Sequence, residues 1–319
     1  MDQLKPQSEK NYSLYAAKPF LKWAGGKTQL INEIEKKLPI DFKNKSYTFL
    51  EPFVGSGAVL FWFLNKYPKI EKAVINDINS DLINTYKVIS SKPEELISIL
   101  SIIQDEYYAH GGNQEKKSEY YYHKRASYNL RNSEKTTQAA LFIFLNRTCF
   151  NGLYRVNKNN AFNVPMGSYK KPTICDSDNI RAVSNTLQKV EILCGDYTQT
   201  LNYAGENSFF YFDPPYKPLN NTSSFNSYAK DEFNDEQQIR LKNFCSEIDN
   251  LGYKWMLSNS DVKGMDQNNN FFDELFSEFR INRVKATRRI NSNAEKRGEL
   301  NELLITNYAN EPNLNITVI

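Results

Sequence analysis

Four consecutive residues in the second half of the chain, Asp213-Pro214-Pro215-Tyr216, combine a carboxylate, two rigid carbonyls and a phenol ring. Each proline fixes φ near about −65° and offers a carbonyl without an N–H, so the segment is stiff and rich in acceptors. Such a surface suits a flat donor. The exocyclic amino group of a nucleobase has two N–H bonds, one for Asp213 and one for the Pro214 carbonyl, while Tyr216 stacks on the ring. Held that way, the amine's lone pair leaves conjugation with the ring and becomes nucleophilic toward an electrophilic carbon. The bland alternative is a buried strand that ends in a Pro-Pro turn with a satisfied aspartate.

The elements that must position these residues are legible around them. Ser208-Phe209-Phe210-Tyr211-Phe212 is aromatic and uncharged, which reads as a buried strand stopped by the prolines. Asp213 then sits at a strand's carboxyl end, the edge where open α/β sheets bind ligands. Residues 47–53 read as another strand, followed by the glycine turn Val54-Gly55-Ser56-Gly57 and a helix over 58–67. A strand over 73–77 ends in Asp77, placed as in nucleotide-binding βα units to accept ribose hydroxyls. A third strand over 190–197 ends in Asp196 and Tyr197, an acid for an adenine amino group and a ring to cover the base. A helix over 234–251 and strands near 253–259, 281–287 and 303–308 complete the sheet. Nearer the amino terminus, Lys22-Trp23-Ala24-Gly25-Gly26-Lys27-Thr28 is a glycine turn that opens an amphipathic helix through Leu38. Its spacing is not that of a phosphate loop, and taken alone it reads as a helix-initiating turn with a surface lysine.

Between residues 81 and 186 strand signals thin out and helices are expected over 82–103, 116–130 and 138–146. Turn residues Asn157 to Asn160 lie between two short alternating runs and suggest a β-hairpin. Residues 147–171 hold five Lys or Arg and no acid, although the whole chain carries only +3. Phe150, Tyr154 and Tyr169 interleave with those cations. Arginine and asparagine suit purine edges, lysine suits phosphates, and Phe150 or Tyr154 can wedge into a base stack. A solvated charged hairpin is the alternative. A second basic stretch, 280–297, has seven Lys or Arg against one acid, and 222–235 has the character of a loop that closes over a substrate. The four cysteines and two histidines make no metal spacing, so no metal is expected. Residues 1 to about 17 read as a polar arm, no run is long and apolar enough to span a membrane, and a soluble cytoplasmic protein is expected.

Taken together, Lys22 to Lys27, Glu51-Pro52-Phe53-Val54-Gly55-Ser56-Gly57, Asn76-Asp77, Gly195-Asp196-Tyr197 and Asp213-Pro214-Pro215-Tyr216 resemble the motifs of the Dam/DpnM group of adenine-N6 DNA methyltransferases. Leu145-Asn146-Arg147, Phe150 to Arg155 and Phe162 to Pro165 resemble the hairpin with which that group reads DNA. The resemblance spans about 19–308. It implies an α/β fold: a Rossmann-like sheet that binds S-adenosylmethionine, in parts 1–84 and 187–319, with a helical and β-hairpin target-recognition insertion over 85–186. Trp23, Lys27, Phe53, Asp77, Asp196, Tyr197 and Asp213 fall on the family's contacts to S-adenosylmethionine, and Asp213, Pro214 and Tyr216 on its target-adenine site. Arg125, Phe150, Asn151, Leu153, Arg155 and Tyr169 fall among its contacts to double-stranded DNA. The implied activity is methyl transfer to adenine N6 with base flipping, within GATC, in a bacterial or phage-encoded protein that can have a cognate restriction enzyme. Ser168 stands where the family often has arginine, which weakens the assignment of the target site. The same motif chemistry also fits cytosine N4, and a DNA-binding regulator without turnover is the more distant alternative.

Overall fold

Every residue of the strand that carries Asp213 is buried, and its aromatic side chains feed two different cores. Side chains alternate across a strand. Phe209 and Tyr211 therefore join Phe49, Phe61 and Phe63 on one face, while Phe210 and Phe212 join Phe244, Trp255 and Leu257 on the other. Apolar residues on both faces of a strand mean a sheet covered on both sides. The structure, a computed structural model, describes residues 16–309 apart from 24, 26, 217–232, 265 and 288–298.

The strands are β1 (Thr48–Glu51), β2 (Lys72–Asp77), β3 (Val190–Cys194), β4 (Ser208–Phe212), β5 (Lys254–Ser260), β6 (Arg280–Thr287) and β7 (Glu299–Thr306). They form one seven-stranded sheet in the order β3-β2-β1-β4-β5-β7-β6. The first five pair in parallel, and β7 runs antiparallel to both β5 and β6. This is the Rossmann-like methyltransferase arrangement that the resemblance implied. The helices are α1 (Ile31–Lys36), α2 (Ala58–Lys66), α3 (Ser80–Ser91), α4 (Pro93–Ala109), α5 (Gln114–Leu130), α6 (Lys135–Thr148), α7 (Ser177–Leu187), α8 (Asp235–Asn250) and α9 (Phe271–Leu275). Helix α3 packs on β2 and β3, and α8 packs on β5 from the opposite face.

The insertion after α3 is a helical cluster around α6, which packs against α3, α4 and α5 and buries residues on all sides. The single helix expected over 82–103 is two helices. Pro93 supplies no N–H and disfavours helical backbone at Lys92, so the chain restarts with proline at the first position of α4. Helix α7 was not expected, yet Asp176 accepts the Asn179 amide as its cap and Ile180, Val183 and Leu187 form a buried stripe. The hairpin is held by two isolated bridges, Cys149 with Met166 and Val156 with Phe162, instead of a continuous ladder. Tyr121, Arg125 and Asn129, one stripe of α5, grip its backbone at Val164 and Phe162. The polar arm ends earlier than expected, because Ala17 is buried and its carbonyl accepts from Asn65. Residues 1–15, most of the expected closing loop and the basic run Arg288 to Arg297 lie outside the described residues.

The glycine turn after β1 is set by two close approaches. Gly57 has φ +75°, and a Cβ there would lie 2.6 Å from the Tyr86 hydroxyl and 2.9 Å from the Phe61 ring. Gly57→Ala should therefore cost about 1–3 kcal/mol in a denaturant titration, from strained backbone and overpacking together. A loss below a few tenths would show that the turn relaxes freely.

Candidate active site

Lys27, expected on the surface if its turn were only a helix start, is 6% exposed. Its ammonium lies 2.8 Å from Asp213 Oδ1, donates to the Gly25 carbonyl at 3.0 Å and sits 4.0 Å from the centre of the Tyr216 ring. The short 3-10 turn Lys27–Gln29 that leads into α1 aims the side chain at the end of β4. Burial raises the Asp213 carboxyl above the ordinary carboxylate range, while Lys27 and a 3.2 Å hydrogen bond from Ser258 Oγ pull it back down. Asp213 Oδ2 and the Pro214 carbonyl accept no hydrogen bond among the described residues. The Pro215 carbonyl takes one from Gln238.

Tyr216 is fixed at its far end, where its hydroxyl donates to Glu302 Oε2 at 2.7 Å. Glu302 lies on β7, remote in sequence, and no motif pointed to it. Ser258, on β5, was equally unmarked, although it links the Tyr211 hydroxyl to Asp213. The four expected residues Lys27, Asp213, Pro214 and Tyr216 are thus brought together by β4, β5, β7 and the glycine turn.

The second group of expected residues lines the ends of β1, β2 and β3. Asp77 accepts the Gly55 amide at 3.1 Å and the Asn79 amide at 2.9 Å, and so holds the turn after β1 while Asn79 caps α3. Asn76 was quoted only as Asp77's neighbour, yet its side chain joins Pro52, Gly195 and Gln199 across three strand ends. Ile78 follows Asp77 with 73% of its surface bare, an apolar face beside the acid that sequence reading passed over. Asp196 is gripped by both terminal nitrogens of Arg240, at 2.8 and 3.0 Å, and by Thr198; these partners hold its carboxyl down to about 2. Tyr197 is buried against Phe53 and Phe244, and burial raises its hydroxyl to about 12. Phe53 is half-buried beside Tyr197 and Phe233.

The third group lies on the hairpin. Phe150 is 51% exposed, Leu153 is 38% exposed, and Asn151 takes left-handed backbone between them. Tyr154, the other wedge considered, is committed inward: it stacks on Trp23 at 5.7 Å and its hydroxyl donates to Asp81. Arg155 Nε donates to Asn163, Arg125 lies on the Tyr122 ring and donates to the Val164 carbonyl, and Tyr169 lies under Lys22. Trp23 also abuts Gly55, so the hairpin and the glycine turn meet on one indole ring. Asn146 closes the join by bonding both Lys22 backbone groups and the Gly152 carbonyl.

A parallel sheet whose carboxyl edge gathers Asp77, Asp196 and Asp213 defines the Rossmann-like methyltransferase class. Within that class, residues 23–290 match the D12 class N6 adenine-specific DNA methyltransferases, and the chain belongs to this family. It is 49% identical over 293 residues to the Type II methyltransferase M.MjaIII of Methanocaldococcus jannaschii, covering 91% of this chain and 99% of that protein. It is 36% identical over 302 residues to the DNA adenine methylase of Haemophilus influenzae, covering 94% and 97%. The DNA adenine methylase of Escherichia coli is 32% identical over 285 residues, covering 89% and 93%. The chain is an adenine-specific DNA methyltransferase.

Lys27→Met removes the cation that favours ionised Asp213. The Asp213 carboxyl, already raised by burial, should then titrate at still higher pH, followed by carboxyl-carbon NMR. An unchanged titration would mean that Lys27 does not set the charge of this acid.

Proposed function

We propose that this protein transfers a methyl group from S-adenosylmethionine to N6 of an adenine flipped out of double-stranded DNA, within GATC. The observation that carries the reading is the pair of acceptors, Asp213 Oδ2 and the Pro214 carbonyl, that take no hydrogen bond among the described residues, beside a Tyr216 ring anchored by Glu302. Two acceptors match the two N–H bonds of an adenine amino group, and the ring supplies a stacking face. The Lys27 ammonium already rests between a carboxylate and an aromatic ring, which is the environment an amine carrying developing positive charge requires.

The residues at the strand ends fit an adenosyl group. Asp77 keeps acceptor capacity beyond its two amide bonds, Ile78 offers a bare apolar face, and the Gly55 turn allows close backbone approach. Asp196 lies at the end of β3 as the acid for the adenine amino group, with Arg240 fixing its orientation. S-adenosylmethionine supplies an electrophilic methyl group on a sulfonium. Asp213 and Pro214 orient the target nitrogen, Tyr216 holds the base plane, and positioning with electrostatics does the catalytic work.

We assign 85–186 to DNA reading and 1–84 with 187–319 to methyl transfer. Exposed Phe150 is the wedge that opens the base stack, flanked by Asn151, Leu153, Arg155 and Tyr169. Arg125 serves chiefly to brace the hairpin from α5.

Asp213→Ala should abolish transfer of labelled methyl groups while DNA binding persists; full activity in that variant would overturn the assignment. Tyr216→Ala should weaken the flipped-base complex by about 1–3 kcal/mol, the worth of one base-aromatic stack. Sequencing of modified bases in a host expressing the chain should place N6-methyladenine in GATC, and a different motif would correct the target while leaving the chemistry intact.

A further inference from the structure

Three adjacent parallel strands each end near an acid: Asp77 on β2, Glu51 on β1 and Asp213 after β4. Glu51 pairs in register with Ile75, and Leu50 with Phe210, so Glu51 is level with Tyr211. It therefore lies two residues behind each flanking acid, about 7 Å along the strands. Glu51 is 2% exposed, and its Oε2 is buried without a hydrogen-bond partner among the described residues. Its other oxygen is met by the Leu60 amide from the first turn of α2.

No cation answers this acid among the described residues that face it. Lys27 is spent on Asp213, the Tyr86 hydroxyl on α3 donates to the Gly55 carbonyl, and the Tyr211 hydroxyl pairs with Ser258. An unpaired carboxylate in such a place is costly, and a proton removes the cost. Burial first, then the negative charges of Asp213 and Asp77, push the Glu51 carboxyl well above the ordinary glutamate value.

We propose that Glu51 is a proton store linked to the charge of the methyl donor. Protonated in the free protein, it releases its proton to solvent when a sulfonium is held in the neighbouring groove, and regains one when the neutral thioether product replaces it. The inference rests on S-adenosylmethionine being the donor. Glu51 acts through the field between strand ends, without touching the reacting atoms, so the effect is read in binding and not in turnover.

The test is calorimetric titration without DNA, in buffers of different ionisation enthalpy, with S-adenosylmethionine and with S-adenosylhomocysteine. The wild-type protein should release about one more proton with the sulfonium ligand than with the thioether at pH values where free Glu51 is protonated. Release on binding means that affinity for the sulfonium ligand rises with pH, by up to about tenfold per unit, until free Glu51 itself ionises. Glu51→Gln should abolish the difference, which separates Glu51 from Asp77 and Asp213, the other acids that burial raises. Equal proton counts for the two ligands in the wild type, or a difference that survives in Glu51→Gln, would refute the inference. Should Glu51→Gln fail to fold, equal proton counts for the two ligands in the wild type still refute the inference. Binding of neither ligand would sink the donor assignment itself, whereas tight binding of both with equal proton counts would sink only the proton linkage.

Discussion

The buried pair between Lys27 and Asp213 is the interaction on which the site depends. At 2.8 Å and an effective dielectric near 20, the attraction is roughly 6 kcal/mol. Taking each ion out of water costs several kcal/mol, so the pair contributes little net stability. What it does is oppose the rise that burial imposes on the Asp213 carboxyl, and so favour the ionised form. A neutral Asp213 would lose much of its power to accept from an amine and to face positive charge. The ammonium also sets the Tyr216 ring, because a cation over a ring holds it in place as well as a packed neighbour does.

That constraint explains why so many elements converge here. Lys27 is delivered by the turn before α1, Asp213 by β4, Ser258 by β5 and Glu302 by β7. Strand β7 runs antiparallel to β5, which brings Glu302 opposite Ser260 at the edge where β4 ends. The carboxyl edge of the sheet thus collects acids from β2, β1, β3 and β4, and the buried Lys27 pairs with the one that follows β4.

Much of this was legible in the sequence because it is written in local rules. All seven strands were marked by uncharged or alternating runs, and the ends at Asp77, Asp196 and Asp213 by the polar residues that stop them. Pro93 carried the signal for the break between α3 and α4, and Asp176 with Ile180, Val183 and Leu187 carried the signal for α7. What could not be read is what depends on distant chain segments. Nothing near Lys27 says that it is buried, since its partner lies in another strand. Tyr197 was read as a ring to cover a base, and an aromatic after a strand-end acid has no intrinsic direction; the short 3-10 turn Tyr197–Tyr203 packs it against Phe53 and Phe244. Between Phe150 and Tyr154, composition offers no preference, and only packing against Trp23 and Asp81 separates the inward ring from the outward one.

The join between the hairpin and the residues around Asp213 runs through side-chain hydrogen bonds to backbone groups and through close packing. Asn146 bonds the amide and carbonyl of Lys22 and the carbonyl of Gly152, and a Cβ at Gly152 would lie 2.4 Å from the Lys22 side chain. The residue that follows, Trp23, is clasped between Tyr154 and Gly55. Segment 22–27 is therefore pinned to the hairpin at one end and to Asp213 at the other. The exposed Phe150 ring and the Asp213 carboxylate are accordingly tied through the two ends of one short segment, Lys22 and Trp23 on the hairpin side and Lys27 on the other.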